Sequence, residues 1–216
     1  MTPIRRLTVT AGAAIVLAAA AAATPAGGAT AGKFGRDSGS CDWPALTQPF
    51  LPWADPGQYF LAPGGNFENG TNGWTLTGNA NIVSGNETYY VGSSSDSHSL
   101  ALPDTTSSAT TPTMCVTALS PDFRLFLFNK GANGHTDGQL AVYLNFTGAD
   151  GKPQQVKIAA LKNGTSWGLT LPISFIQYIS GPLKNGLAYV SFTFKPNDNH
   201  GNWLLDDLYV DPIKHA

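Results

Sequence analysis

The stretch Asn202-Trp203-Leu204-Leu205-Asp206-Asp207-Leu208-Tyr209-Val210-Asp211-Pro212 is an apolar, aromatic strand interrupted by two adjacent acids. Counting by twos puts Leu204, Asp206, Leu208 and Val210 on one face, so a carboxylate sits among apolar neighbours. A buried carboxylate has to be neutralised, paired with a cation or bound to a metal. Cations are scarce, since Arg124 is the only arginine in the folded region. A second box, Gly64-Gly65-Asn66-Phe67-Glu68-Asn69-Gly70, sets a Phe beside a carboxylate, then turn residues, then Trp74.

Between the boxes the chain reads as strands and turns. From Gln139 to Thr147, Leu140, Val142, Leu144 and Phe146 alternate with Ala141, Tyr143, Asn145 and Thr147. From Leu187 to Lys195, Ala188, Val190, Phe192 and Phe194 alternate with Tyr189, Ser191 and Thr193. Val156, Ile158 and Ala160 alternate with Gln155, Lys157 and Ala159. Period-two patterns of this kind are half-buried strands. Phe123 to Asn129 is apolar on both faces and reads as a central strand. Asn-Gly pairs at 69–70, 72–73, 133–134, 163–164 and 185–186 mark turns. Phe175–Ile179 is long enough for one helical turn, and no longer helical period exists. Many short strands with frequent turns mean a sandwich or barrel.

The two boxes together resemble the jelly-roll carbohydrate-binding modules of the family 4 and 9 type, in the wider galactose-binding-like group. There an "N-x-F-E…GW" segment lies beside a final "hydrophobic-D-D-hydrophobic" strand. The resemblance spans residues 64–212 and suggests a secreted actinobacterial protein. It implies an all-β, jelly-roll β-sandwich with a structural calcium where the boxes meet. Glu68 and Asp206 would be its side-chain ligands, with backbone carbonyls near Gly65–Asn66 and the loop at Asp96. The segment Asp96–Leu102 is similar to the family's "G-x-x-S-L-x-L" strand but lacks the glycine, so Asp96 is the weakest match. Calcium takes carboxylate and carbonyl oxygens, which suits these residues. The alternative is that Asp206 and Asp207 cap turns or pair with Arg124 or a lysine.

The N-terminus reads as a secretory signal peptide over residues 1–31: Arg5-Arg6, an alanine-rich apolar stretch, then small residues at Ala29-Thr30-Ala31. Arg5-Arg6 leaves both general and twin-arginine export open. What remains is about 185 residues, the size of one sandwich domain. The chain has 12 basic and 14 acidic residues. Loss of the two arginines makes the exported chain slightly more acidic, which gives no footprint for nucleic acid or anionic membrane. Cys41 and Cys115, an even pair in an exported chain, are expected to form a disulfide. Residues 32–63 form an N-terminal extended arm ahead of the domain at 64–216. Its prolines at 44, 49, 52, 56 and 63 forbid a helix, and Trp43, Trp53 and Tyr59 give it anchors.

Sugar-binding sandwiches stack ligands on aromatic side chains and orient them with polar groups. The outward strand positions nominate Tyr143, Asn145, Tyr189 and Ser191, with Arg124 if it points the same way. Tyr89 and Trp167, beside turns, complete the set. Trp74 and Trp203 are read as packing residues. An arm laid across this face would fill it.

A glycosidase needs two facing carboxylates. Glu68 and Glu87 are the only glutamates, and the calcium reading claims the first. There is no G-x-S-x-G elbow or H-E-x-x-H helix. His98, His135, His200 and His215 are scattered. The sequence therefore points to a secreted, noncatalytic module for a polysaccharide or cell-wall glycan. A protein-interaction role at the cell envelope, and then a hydrolase, are the alternatives.

Overall fold

A computed structural model of the chain describes residues 41–119, 121–179 and 185–213. The expected signal peptide at 1–31 and the lead-in to residue 40 lie outside the described residues. Among the described residues, thirteen strands form two antiparallel sheets packed as a sandwich. The seven-stranded sheet runs β10 (Gly168–Leu169), β7 (Asp122–Asn129), β13 (Trp203–Asp211), β4 (His98–Leu102), β3 (Asn81–Ser84). To it are added β1 (Phe60–Leu61) on β13 and β11 (Ile173–Ser174) on β7. The six-stranded sheet runs β2 (Thr75–Thr77), β5 (Ser108–Thr110), β12 (Leu187–Pro196), β8 (Leu140–Thr147), β9 (Pro153–Leu161), with β6 (Met114–Thr117) also on β12. Two single helical turns accompany the strands: a 3-10 turn at Leu51–Trp53, within the arm whose prolines were read as forbidding a helix and which tolerates Pro52 because it lies in the first turn, and α1, Ile176–Ile179.

The alternating strands supply the core as their pattern demands. Leu140, Val142 and Leu144 of β8 meet Val190, Phe192 and Phe194 of β12 and Phe123, Leu125 and Leu127 of β7. Trp74 and Trp203 are buried in the same cluster. The first box lies against the last strand: Ala62 N–H donates to Leu208 O (2.9 Å) and Leu208 N–H to Gly65 O (3.1 Å). Gly65 is needed there, because a Cβ would stand 2.8 Å from Leu208 O.

Two β-bulges overturn period-two counts. In β9 the register jumps from Val142↔Ala159 to Tyr143↔Lys157, leaving Ile158 unpaired. Ala159 and Leu161 therefore reach the core, while Ala160, expected inside, is exposed. In β13 two residues, Asp207 and Leu208, lie between the Asp206↔Phe126 and Tyr209↔Arg124 pairs opposite one, Leu125. Asp207 carries the extra residue at φ 48°. Leu208 and Val210 stay in the core. Asp206, expected beside them, instead shares the outer face of Phe126, because the bulge reverses the alternation.

The arm lies on the outer face of the seven-stranded sheet. Phe50 is fully buried among Tyr59, Phe126 and Tyr209, and Trp53 packs on Phe126. Arg124 closes this contact, with Nη1 2.7 Å from Asp55 Oδ2 and its guanidinium 4.9 Å above the Phe50 ring. The arm's start is fixed by the Cys41–Cys115 disulfide to β6, where Trp43 Nε1 donates to Cys115 O (2.8 Å). Phe50→Ala removes the ring that this cluster closes around. It should destabilise the protein by about 3–5 kcal/mol in denaturant unfolding, whereas an arm resting loosely on the sheet would give a small fraction of that.

Candidate functional site

The residues nominated from the sequence divide between the two sheets. Tyr143, Asn145 and Tyr189 lie on the outer face of the six-stranded sheet. Arg124, Tyr89 and Trp167 lie on the other side of the molecule, under or beside the arm. Arg124 is buried and committed to Asp55 and to Thr170 O (2.8 Å). Tyr89 stacks on Phe126 and meets Trp53 edge-on. Trp167 packs on Phe128. These three do not join the others, because β7 belongs to the opposite sheet.

The outer face of the six-stranded sheet is hydroxyl- and amide-rich and laced across the strands. Asn145 Nδ2 donates to Ser191 Oγ (3.2 Å) and Thr193 Oγ1 (2.9 Å). Gln155 Nε2 donates to Asn145 Oδ1 (2.7 Å). Thr110 and Thr193 share a hydrogen bond (2.8 Å), as do Thr77 and Ser108 (2.7 Å). Each amide is thereby held in one orientation, which lowers the entropy cost of using it. A shallow groove of about 380 Å³ runs along this face, lined by Thr113, Asn145, Thr147, Gln155, Tyr189 and Ser191 among others. No carboxylate is among its lining residues. Tyr189 is 64% exposed, and Tyr143 stands one row away between Thr193 and Lys157. Ser191 was expected on this face beside Tyr189, whereas Gln155 was not singled out. Its only signal was the outward phase of β9.

A second cluster lies where the loop between β3 and β4 meets β13. Glu87, Asp206 and Asp207 are buried there. Asp206 is spent on backbone amides, accepting from Glu87 N (3.0 Å) and Asp207 N (2.8 Å). Glu87 accepts from Tyr89 N and Val91 N (2.7 Å for the latter). Glu68 accepts from Ser97 N and His98 N, both at 2.7 Å, and from His98 Nδ1 (3.1 Å). Four oxygens are left with no hydrogen bond of normal geometry: both of Asp207, Oδ2 of Asp96 and Oδ1 of Asn86. Those of Asp96 and Asp207 meet at Gly92, where a Cβ would stand 2.7 Å from Asp96 Oδ2, 3.4 Å from Asp207 Oδ1 and 3.7 Å from Asp207 Oδ2. Of the expected trio, Glu68 acts on Asp96 through its charge and Asp206 bonds Glu87 N, whereas the orphaned oxygens belong to Asp207, Asp96 and Asn86.

The electrostatics follow from this crowding. Burial, then the Asp207 charge, pushes Asp206 up to about 9. Burial, then Glu87, Asp96 and Glu68, pushes Asp207 up to about 7, with the nearby Gly92 amide opposing. Asp96 and Glu87 are also raised, burial first. Glu68 runs the other way: burial opposes, but the hydrogen bonds from His98 and the two amides win and hold it low. Oxygen donors left bare beside excess negative charge fit a hard cation such as calcium.

No protein-family model and no curated protein matches the chain. Among solved structures it is similar to the C-terminal family 22 carbohydrate-binding module of Clostridium thermocellum Xyn10B, at 13% identity over 73% of this chain and 95% of that one (TM-score 0.49). It is also similar to the CBM22-1 xylan-binding domain of Paenibacillus barcinonensis Xyn10C, at 16% identity over 74% and 97% (TM-score 0.48). TmCBM61, solved with β-1,4-galactotriose, gives 12% identity over 68% and 94% (TM-score 0.38). At these levels the likeness stays within the two-sheet architecture and carries no residue roles.

The raised acids set a pH dependence. An Asp whose folded pKa exceeds its ordinary 3.8 binds more protons folded than unfolded, so its contribution is complete below 3.8 and lost as pH rises through the folded value. In a chelator, stability should fall from about pH 4 through 7 for Asp207 and on to about 9 for Asp206. Asp207→Asn should flatten the lower part of that decline in urea unfolding at stepped pH. An unchanged profile would mean that Asp207 is not the group responsible.

Proposed function

We propose that this chain is an exported, noncatalytic protein that binds a polysaccharide or cell-wall glycan on the outer face of its six-stranded sheet. The observation that carries the reading is the position of the arm. It occupies the outer face of the other sheet, so Tyr189, Asn145 and Gln155 stay open around the groove. A sugar ring has apolar faces and equatorial hydroxyls. Tyr189 offers a flat apolar surface to the first, and the fixed amides and hydroxyls of Asn145, Gln155 and Ser191 offer donors and acceptors to the second. A groove without carboxylates supplies neither the acid nor the base of glycoside cleavage. The disulfide supports an oxidising destination. The family resemblance of the two boxes agrees with this reading.

Calcium belongs to the same proposal as a structural ion. Asp207, Asp96 and Asn86 would hold it, and its charge would neutralise the acids gathered around β13. Glu68, Glu87 and Asp206 would act around it, ordering the loop through their amide partners. At a hundredfold excess over Kd, calcium should raise the melting temperature by about 5–10 °C. Asp96→Asn and Gly92→Ala should each remove that response. A wild-type protein indifferent to calcium after chelation would end the metal reading and leave the glycan reading standing.

For the glycan, the test is retention on insoluble cellulose, xylan, β-1,4-galactan, chitin and peptidoglycan, with Tyr189→Ala beside the wild type. Retention on one polymer that falls about tenfold in the variant, with folding intact, is the expected result. Absence of retention on every polymer by folded protein would overturn the proposal.

A further inference from the structure

A third side-chain cluster lies away from both the sheet face and the acidic pocket, at two of the loops that carry the chain between the sheets. The loop from β7 to β8 leaves the seven-stranded sheet for the six-stranded one. The loop from β12 to β13 makes the return. His135 and Asp137 come from the first and His200 from the second. Asp137 Oδ1 stands 3.0 Å from His200 Nδ1 and 3.7 Å from His135 Nδ1. The two imidazoles are stacked, with centroids 3.8 Å apart and planes 7° from parallel. One donor atom from each of the three residues falls within 4.8 Å of the other two.

The loops that hold these groups are firmly built. Asn133-Gly134, both at positive φ (53° and 79°), form a tight hairpin turn closed by reciprocal Ala132–His135 backbone bonds of 2.9 Å. Asn133 Nδ2 donates across to Asn199 O (2.8 Å). Fully buried Asn129 ties both loops at once: Nδ2 donates to Thr136 O (3.1 Å), while Oδ1 accepts from Gly131 N (2.9 Å) and Asn202 N (3.1 Å). Asp198 accepts from Gln139 N in the first loop and His200 N in the second, both at 3.1 Å. At Gly138 the two backbones touch, since a Cβ there would stand 2.7 Å from Gly201 Cα. His135 and Asp137 are exposed and His200 is half-buried, while the backbone beneath them is fixed before any ligand arrives.

We propose that His135, Asp137 and His200 form a binding site for a divalent transition-metal ion of the zinc class. Two imidazole nitrogens and one carboxylate oxygen suit such ions, whereas calcium takes oxygen alone. Around an ion with bonds of about 2.0–2.2 Å, neighbouring donors stand about 3–3.6 Å apart; the His200–Asp137 pair at 3.0 Å already fits, while His135, 3.7 Å from Asp137 and stacked on His200, has to turn out of the stack for its lone pair to reach the same ion. Two imidazolium rings at this stacking distance would repel each other. An ion that takes the lone pairs of two neutral rings and the carboxylate charge removes that conflict. Three protein donors leave a coordination position open to solvent. The bound ion would cross-link the two crossovers, and so brace both sheets at this end of the sandwich. The site is independent of the glycan and calcium readings.

The test is calorimetric titration of zinc chloride into purified, chelator-treated protein in saturating calcium, with the melting temperature followed in parallel. The expected result is one zinc per chain and a higher melting temperature. His135→Gln and His200→Gln should each weaken zinc binding by about 10- to 100-fold or more. Asp137→Asn, at an exposed position, should weaken it without unfolding the protein. His98→Gln and His215→Gln, which alter the remaining histidines, should leave it unchanged. No saturable zinc binding by the wild type would overturn the proposal. So would wild-type affinity in the His135 and His200 variants, or loss of binding in the His98 or His215 variant alone.

Discussion

The extra residue at Asp207 is the constraint on which this end of the molecule depends. β13 is central in its sheet, paired to β7, β4 and β1. A strand so placed is enclosed on both faces, and its acids have no route to water. Without the bulge, either Asp206 would enter the apolar core or Leu208 and Val210 would leave it. The left-handed backbone at Asp207 lets both requirements hold. Asp206 then meets the amide of Glu87, and Glu87 in turn collects the amides of Tyr89 and Val91. The loop before β4 is thus hung on buried carboxylates rather than on apolar contacts. Such an arrangement is costly in desolvation unless a cation completes it, and that is why the orphaned oxygens of Asp207, Asp96 and Asn86 carry weight.

The arm makes the second division. A sandwich has two outer faces, and this chain spends aromatics on one and polar side chains on the other. Phe50, Trp53, Tyr59, Tyr89, Phe126 and Tyr209 close over the seven-stranded sheet. Beneath them Arg124 is committed to an ion pair with Asp55, and the pair lines a pocket of about 360 Å³ beside Trp53, Tyr59 and Leu171. The six-stranded sheet keeps Thr, Ser, Asn and Gln on its outside, with Tyr189 projecting from them. One sheet is thereby given to stability and the other remains available for recognition.

How far this was legible in the sequence differs by element. The alternation in 140–147 and 187–195 placed β8 and β12 and their inward residues, because each has one wet face and no irregularity before the strand end. The doubly apolar run at 123–129 placed β7 in the middle of a sheet for the same physical reason. Ile158 and Asp207 were misjudged in phase because a bulge is a single inserted residue with no compositional mark. Each slip reversed the faces of the residues beyond it, which moved Ala160 outward and Asp206 away from the core. Arg124 was grouped with Tyr143 and Tyr189 because period two tells inside from outside but not one sheet from the other. That assignment follows from topology, which depends on contacts remote in sequence. The presence of an acidic site at the meeting of the two boxes was readable. Which oxygens stay unpaired was not, because amides from residues 87, 89, 91, 97 and 98 decide it.

The same limit applies to the two histidines that face each other across the crossovers. His135 and His200 look scattered in the chain, and only the return of β12 to β13 sets one against the other. Their chemistry differs from that of the acidic pocket in a way that separates the two sites without reference to fold. The pocket offers carboxylate and amide oxygens, which favour a hard ion, while the crossovers offer imidazole nitrogen, which a hard ion declines and a borderline one prefers. Both lie where chain segments distant in sequence must be kept together, one at a loop hung on β13 and one at two neighbouring passages between the sheets, β7–β8 and β12–β13. Neither borders the groove beside Tyr189. Ions in these places would act on the persistence of the scaffold, and recognition would rest with the polar sheet face alone.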